Sequence, residues 1–198
     1  MTFGLSQRAR DNSAASGGGD YLNPSKIRSG GSTRFHITSE EPTEFFECWG
    51  ETADGSVRPF RFVAEPTPAD IKAEMGPDFE RRMNREGTSP EAVKMVIAFW
   101  VYNYENQKIE LCSLSQKSLI RELDQITQME DYHPLSDFDM IMGKEGSGLT
   151  TVYSLKAVPR KKDAVKDVTT AMEKAIDSGY NINNLLTGDN PFKTAQAA

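Results

Sequence analysis

Cysteine and histidine are scarce in this chain of 198 residues, which contains two of each. The two cysteines, Cys48 and Cys112, are too few for a disulfide framework, and no CxxC pair occurs. Together with His36 and His133 they lack the paired spacing of a zinc finger, so no metal and no other cofactor is predicted. A reducing, cytosol-like compartment is therefore expected.

Long apolar runs and an excess of positive charge are absent too. No stretch is long enough to span a bilayer, and the opening residues MTFGLSQRAR lack the apolar segment of a signal peptide. The net charge is −6, from 29 acidic and 23 basic residues. This balance argues against a protein that coats duplex DNA indiscriminately. It does not exclude a nucleic-acid partner, because the field that matters is local to a groove.

Recognisable catalytic motifs are missing as well. Asp137, Asp139 and Glu145 beside Lys144 suggest a metal-dependent nuclease, in which carboxylates converge on Mg²⁺. Met142, however, stands where the acidic partner of such a site would be expected, and Asp137 and Asp139 are expected to be solvated or paired with a nearby lysine. Neither histidine is accompanied by a serine or cysteine in a nucleophile elbow. We therefore predict that the chain is not an enzyme.

The most informative stretch runs from residue 95 to 115, MVIAFWVYNYENQKIELCSLS. Its first half is rich in β-branched and aromatic residues, and a polar turn at residues 105–107 follows, so two paired strands are predicted. Because side chains alternate across a strand, Ile97, Phe99 and Val101 should face a core. The other face should then carry three aromatic rings, those of Trp100, Tyr102 and Tyr104.

This row of rings has two interpretations. In one, the rings pack under a neighbouring helix or loop, with their polar tips at its edge. In the other, they form an exposed platform on which unpaired bases stack beside a basic groove. The second interpretation predicts that Trp100→Ala weakens binding of a single-stranded oligonucleotide without unfolding the protein.

Shorter strand patterns flank this hairpin. They lie at RFHIT, FFECWGE and VRPFRFV before it, and after it in HPLSDFDMIMGKEGSGLTTVYSLKAVPRKK, where a Gly-containing turn separates two strands. Helical periodicity marks SQKSLIRELDQITQME, with Ser115 as the predicted cap, and AVKDVTTAMEKAIDSG. The strand spacing is typical of a small barrel. The predicted fold class is mainly β (α+β), an oligonucleotide-binding barrel with an inserted helical segment, one connecting helix and a C-terminal helix.

Three regions are predicted along the chain. Residues 1–20, rich in Ser, Ala and Gly, should be a flexible N-terminal arm. Residues 21–162 should form the barrel domain, with a helical insertion at 67–92. Residues 163–198 should form a C-terminal helix and a flexible tail.

The run FWVYNYENQKIELCSLSQKSLIRELDQI, followed by DFDMIMGKEGSGLTTVYSLKAVPRK, resembles the core of a family of single-stranded DNA-binding proteins of tailed bacteriophages. The shared features are the aromatic strand and hairpin, the QKS helix, the DFDMIM strand and a GxGLxTxYS strand that runs into Pro-Arg/Lys. RFHIT, FFECWGE and RPFRF resemble the opening strands of that family. The resemblance covers about residues 21 to 162. The mixed charge of the C-terminal segment departs from the acidic tail by which many single-strand binders recruit partners.

The resemblance implies an oligonucleotide-binding fold that binds and protects single-stranded DNA, independently of sequence, during phage replication, recombination and repair. It places the protein in the cytoplasm of an infected bacterial host, with replication and recombination proteins as further expected partners. Two alternatives stay open: an adaptor module whose aromatic face binds protein, and a single-stranded RNA binder, which the 2′-OH would distinguish.

Phosphates should contact cations and bases should stack on rings in such a protein. The residues predicted to bind single-stranded DNA are Arg34, Trp49, Arg58, Arg61, Trp100, Tyr102, Lys144, Tyr153, Lys156 and Arg160.

Overall fold

A largely antiparallel sheet with a few helices makes up residues 20–193, the part of the chain that this computed structural model describes. The strands are β1 (Tyr21–Leu22), β2 (Gly31–Ile37), β3 (Thr43–Glu51), β4 (Val57–Phe62), β5 (Glu80–Arg81), β6 (Lys94–Asn103), β7 (Lys108–Leu114), β8 (Phe138–Glu145) and β9 (Val152–Pro159). The α-helices are α1 (Pro68–Met75), α2 (Lys117–Gln128), α3 (Val165–Asp177) and α4 (Asn184–Thr187). The predicted α+β mixture is confirmed. The predicted N-terminal arm lies outside the described residues, except for Asp20.

Strand β6 joins the two halves of the sheet. Its Val, Ile, Phe, Trp and Tyr side chains suit a pleated, buried surface. Strand β7 pairs with it along one edge, across a turn at residues 104–107 that includes the predicted turn at 105–107. On the other edge, residues 94–98 pair with β3 and residues 101–103 pair with β2. The sheet therefore forks at β6 into a β2–β8–β9 half and a β3–β4–β5 half.

The sheet is open, so the predicted closed barrel is wrong for these residues. Closure would require the outer edge of β9 to pair with another strand, and within residues 20–193 no strand lies there. Helix α2 occupies part of that edge instead. The Glu122 carboxylate of this helix accepts a hydrogen bond from the backbone N–H of Leu155. Pro159, which has no N–H, ends the strand.

The first core lies between the sheet and α2. Leu119, Leu123 and Ile126 form one stripe of the helix and pack on the predicted core face of β6, together with side chains from β2 and β8. The prediction that Ile97, Phe99 and Val101 face a core is confirmed. The predicted cap at Ser115 is wrong: the helix begins at Lys117, and Gln116 occupies the cap position without a side-chain hydrogen bond.

The second core lies on the opposite face of β6, where the C-terminal residues 165–193 cover the aromatic row. We call these residues the C-terminal cover. The Trp100 ring centroid lies 5.2 Å from that of Tyr180 and 5.6 Å from that of Phe192. Trp100 is 6% exposed and Tyr102 is 4% exposed. Of the two interpretations of the row, packing under a neighbouring element is therefore the one that this conformation adopts.

The predicted helical insertion at 67–92 is helical only in its first part. Thr67 and Asp70 form a reciprocal capping box that starts α1. Gly76, at a φ of 66°, ends the helix. The chain then adds β5 to the edge of β3 and turns back at Asn84, whose side-chain carbonyl accepts from the backbone N–H of Thr88. Edge pairing with β3 thus replaces the helix predicted for the rest of this insertion.

Gly50 provides a test of the packing beneath α1. A Cβ at this position would lie 2.6 Å from Cε2 of Phe60, a buried ring of the small core formed with α1. We expect Gly50→Ala to lower the free energy of unfolding by about 1–3 kcal/mol, because the close packing leaves no room for the methyl group. Urea unfolding measures the change in the free energy of unfolding, with Glu51→Ala at an exposed position as the control. Equal midpoints for Gly50→Ala and the unchanged protein would contradict the packing.

Candidate nucleic-acid interface

The face of the β2–β8–β9 half that points away from α2 is not covered by the second core. Phe35, Met142 and Leu155 point toward α2, so their neighbours along each strand point the other way. The register aligns these neighbours in cross-strand rows. We call this surface the open face; its two rows are Ser32–Gly143–Ser154 and Arg34–Ile141–Lys156.

The side chains of the open face are small or basic. Ser32 and Lys156 are exposed, while Arg34, Ile141 and Ser154 are partly exposed. The row through Gly143 is close-packed, since a Cβ there would lie 2.8 Å from Oγ of Ser154. The result is a shallow surface with a guanidinium and an ammonium on either side of an isoleucine.

A buried carboxylate, Asp139, fixes the cations at one end of this face. Its Oδ2 accepts from Arg34 Nε at 2.8 Å and from the backbone N–H of Lys161 at 3.1 Å. Its Oδ1 accepts from the Tyr104 hydroxyl at 2.9 Å and lies 3.2 Å from Nδ1 of His36. Asp139 is 0% exposed, so these donors replace the water that the carboxylate loses.

The network shifts the pKa values of two members. Burial acts to raise the pKa of Asp139, but hydrogen bonds from His36, Arg34, Tyr104 and the backbone of Lys161 outweigh it and lower the pKa. Burial raises the pKa of Tyr104, and its hydrogen bond to Asp139 and the nearby negative charge raise it further. At neutral pH the cluster therefore holds an ionised carboxylate and a protonated phenol.

Cations surround the Tyr104 ring. The guanidinium carbon of Arg34 lies 5.7 Å from the ring centroid, and Nζ of Lys161 lies 4.8 Å from it. Arg34 also donates to the backbone carbonyl of Pro159 at 2.7 Å. Arg160 donates to the carbonyl of Ser136 at 3.3 Å. Positive charge is thus concentrated where β9 leaves the sheet.

Three of the ten predicted binding residues lie on or beside the open face, namely Arg34, Lys156 and Arg160. The other seven lie elsewhere, so the ten residues do not share one surface. Trp100 and Tyr102 lie beneath the C-terminal cover, and their ring faces are not available to bases in this conformation.

The two predicted arginines of β4 point to opposite faces of the sheet. The guanidinium carbon of Arg58 lies 4.3 Å from the ring centroid of Phe60, on the α1 side. Arg61 donates to Glu47 at 3.0 Å and to the carbonyl of Leu185 in the C-terminal cover. Cross-strand pairing with Glu47 explains why Arg61 is held in this way.

The remaining three predicted residues are also separated from the open face. Trp49 is partly exposed and is paired across the strands with Pro59 in the other half of the sheet. Lys144 donates to the carbonyl of Ser25 at 2.7 Å. Tyr153 packs against the first core, on the α2 side.

The four sparse ligand-type residues do not meet. Cys48 and Cys112 are free and buried in different cores. His36 contacts Asp139, whereas Nε2 of His133 lies 2.8 Å from the carbonyl oxygen of Thr127. Within residues 20–193 no group of three or more metal-ligating side chains was found.

Asp139, Tyr104 and Lys161 were missed as members of the site. The sequence interpretation treated Asp139 as solvated or paired with a nearby lysine. Its position in DFDMIM, between apolar residues, was the signal that could have indicated burial. Its partner Arg34 lies 105 positions away, so spacing alone could not identify the pair.

Comparisons with protein-family models, with curated proteins and with solved structures each found no match. None of the helices in residues 20–193 is long and apolar enough to cross a membrane.

Asp139→Asn should destabilise the protein in a pH-dependent way. At neutral pH we expect a loss of about 3 kcal/mol in the free energy of unfolding, because Arg34 loses its buried anion. A carboxylate whose pKa is lowered by folding contributes its stability above the unfolded pKa, about 3.9, and loses it as the pH falls through the folded value. Urea unfolding across this range should therefore show the difference shrinking below about pH 4.

Exposed Asp137→Asn is the control for this variant, and we expect little change. A wild-type advantage over Asp139→Asn that stayed constant into strong acid would contradict the ionised network.

Trp100→Ala tests the C-terminal cover. Since the indole is buried between β6 and the rings of Tyr180 and Phe192, we now expect a loss of about 3–5 kcal/mol in the free energy of unfolding. Partly exposed Trp49→Ala should cost less. If Trp100→Ala left the urea midpoint unchanged, the cover would not pack on the indole in solution.

Proposed function

We propose that this protein binds single-stranded DNA along the open face, without strong sequence preference, and protects it during phage replication, recombination and repair. The observation that carries the proposal is the row Arg34–Ile141–Lys156, which places two cations on an accessible sheet surface. The sequence resemblance to phage single-strand binders supports the same assignment. The fold in this proposal is an oligonucleotide-binding fold whose sheet is open and not closed into a barrel.

Phosphate contacts would supply most of the affinity. Arg34 is held by Asp139 in a fixed orientation, so little side-chain entropy remains to be lost when it meets a phosphate. Exposed Lys156, Lys161 and Lys162 would add charge along the strand and release condensed counterions. The acidic residues near this path include Asp139, whose charge is paired with that of Arg34, and exposed Asp137, Glu145 and Asp163.

The base contacts would be modest. The open face has no fully exposed ring, and Tyr104 already has cations over its ring. The planar guanidinium of Arg34 and the apolar side chain of Ile141 are the groups against which bases would pack. Affinity that depends strongly on salt and weakly on sequence follows from this composition.

Replacing exposed lysines of the proposed path should flatten the salt dependence. For Lys156→Ala combined with Lys162→Ala, we expect the slope of log affinity against log salt for oligo-dT to fall by about 1.4, at about 0.7 per phosphate contact on a single strand. The control is Lys72→Ala combined with Lys117→Ala, exposed residues of α1 and α2. Equal slopes for the two double variants would remove the open face from the interface.

A protein partner is the second candidate function, and one observation favours it. A groove of about 590 Å³ lies between α3 and the chain that follows β2, and Ile176 on its wall is 60% exposed. An adaptor would show no salt-dependent affinity for oligo-dT, so the same titration separates the two functions. Competition between matched DNA and RNA strands separates a DNA binder from an RNA binder.

A further inference from the structure

A polar recess of about 470 Å³ lies on the α2 side of the sheet, where the first core ends at the β6–β7 turn. Thr33, Asn103 and Glu110 line it from the sheet, and the chain between β1 and β2 forms another wall. Glu110 and Asn103 are each 2% exposed, and Thr33 is 7% exposed. The recess is therefore lined by three buried polar side chains.

Glu110 is a buried carboxylate with hydrogen-bonding capacity to spare. Its Oε2 accepts from the side-chain amide of Asn103 at 2.8 Å, and its Oε1 accepts from that of Asn106 at 2.6 Å. A carboxylate has about four acceptor positions, so each oxygen can take a further donor. The nearest cation, Nζ of Lys108, lies 3.9 Å from Oε1 and is itself 3.0 Å from Asp20.

Thr33 is the second unusual feature. Its hydroxyl is buried and has no hydrogen-bond partner among residues 20–193. Leaving a buried hydroxyl unpaired costs free energy, and most such groups in folded proteins are paired. A ligand acceptor in the recess would complete the hydrogen bonding of this residue.

Donor and acceptor chemistry selects the ligand. Thr33, in the wall of the recess, carries a buried hydroxyl donor, and Glu110 carries two acceptor oxygens. Among the four DNA bases, guanine alone presents an acceptor, O6, beside two adjacent donors, N1–H and the 2-amino group, on its Watson–Crick edge. Exposed Lys26 and Arg28 on the wall would face the attached phosphate.

We propose that this recess binds a single unpaired guanine of the bound strand, with Glu110 accepting from N1–H and the 2-amino group and Thr33 donating to O6. The recess also includes Ser32, which belongs to the first row of the open face. The recess and the open face lie on opposite sides of the sheet and share Ser32, so a strand on the open face would reach the recess by passing around the start of β2. This inference rests on the proposed function and adds one base preference to it.

The ligand itself provides the first test, with no change to the protein. Short oligo-dT strands carrying one central dG, dI or dA are compared by fluorescence competition. We expect dG to bind about tenfold more tightly than dT or dA at that position, since a bidentate base contact is worth about 1–3 kcal/mol. Hypoxanthine lacks the 2-amino group, so the affinity of the dI strand should lie between that of the dG strand and those of the dT and dA strands. Equal affinity for all strands would overturn the proposal.

Two variants locate the effect. Thr33→Val is nearly isosteric and removes a hydroxyl without a partner in the described residues, so it should fold normally and lower the dG advantage. Glu110→Gln replaces one acceptor by a donor and should abolish the advantage while leaving affinity for oligo-dT unchanged. Thr43→Val and exposed Glu44→Gln, both on β3, are the matched controls. A dG advantage that survived in Thr33→Val and Glu110→Gln would place the contact elsewhere and overturn the assignment.

Failure of the proposed function would look different. If oligo-dT did not bind at any salt concentration, single-strand binding would be wrong, and the recess would be tested with dGMP against dAMP by NMR titration. Shifts confined to dGMP and centred on Thr33 and Glu110 would support the recess by itself. No selective shift would overturn it as well.

Discussion

Both faces of β6 are buried, and the packing of the other elements follows from this. Phe99 and Val101 leave water on the side of α2, and Trp100 and Tyr102 leave it on the side of the C-terminal cover. Each face needs an apolar partner, because leaving rings and branched side chains of this size exposed to water would lower the free energy of unfolding by several kcal/mol. The strand therefore joins two cores, and its row of aromatic rings is not available to a ligand in this conformation.

The forked pairing of β6 moves the accessible polar surface to the flanking strands. Strands β2, β8 and β9 are covered by α2 on one side, while their other side projects beyond the second core. Gly143 and Ser154 keep that surface shallow, and Arg34 and Lys156 make it basic. Its chemistry suits an extended anionic chain better than a compact apolar ligand.

Asp139 links the stability of the sheet to the charge of this surface. A carboxylate without water contact requires several donors, and it obtains them from β2, from the turn after β6 and from the chain after β9. The same bonds orient Arg34 and bring Lys161 over the ring of Tyr104. Removing this one anion would therefore disturb both folding and the arrangement of the cations.

Local patterns in the sequence predict the central hairpin, the alternation of its faces and the two main helices, because these follow from periods of two and 3.6 residues within short segments. Local patterns do not predict that the C-terminal cover buries the rings, that the sheet stays open or that Asp139 contacts Arg34. Alternation states which side chains share a face but not what covers that face. What covers a face depends on contacts between residues that are far apart in the chain, and local patterns contain no information about those contacts.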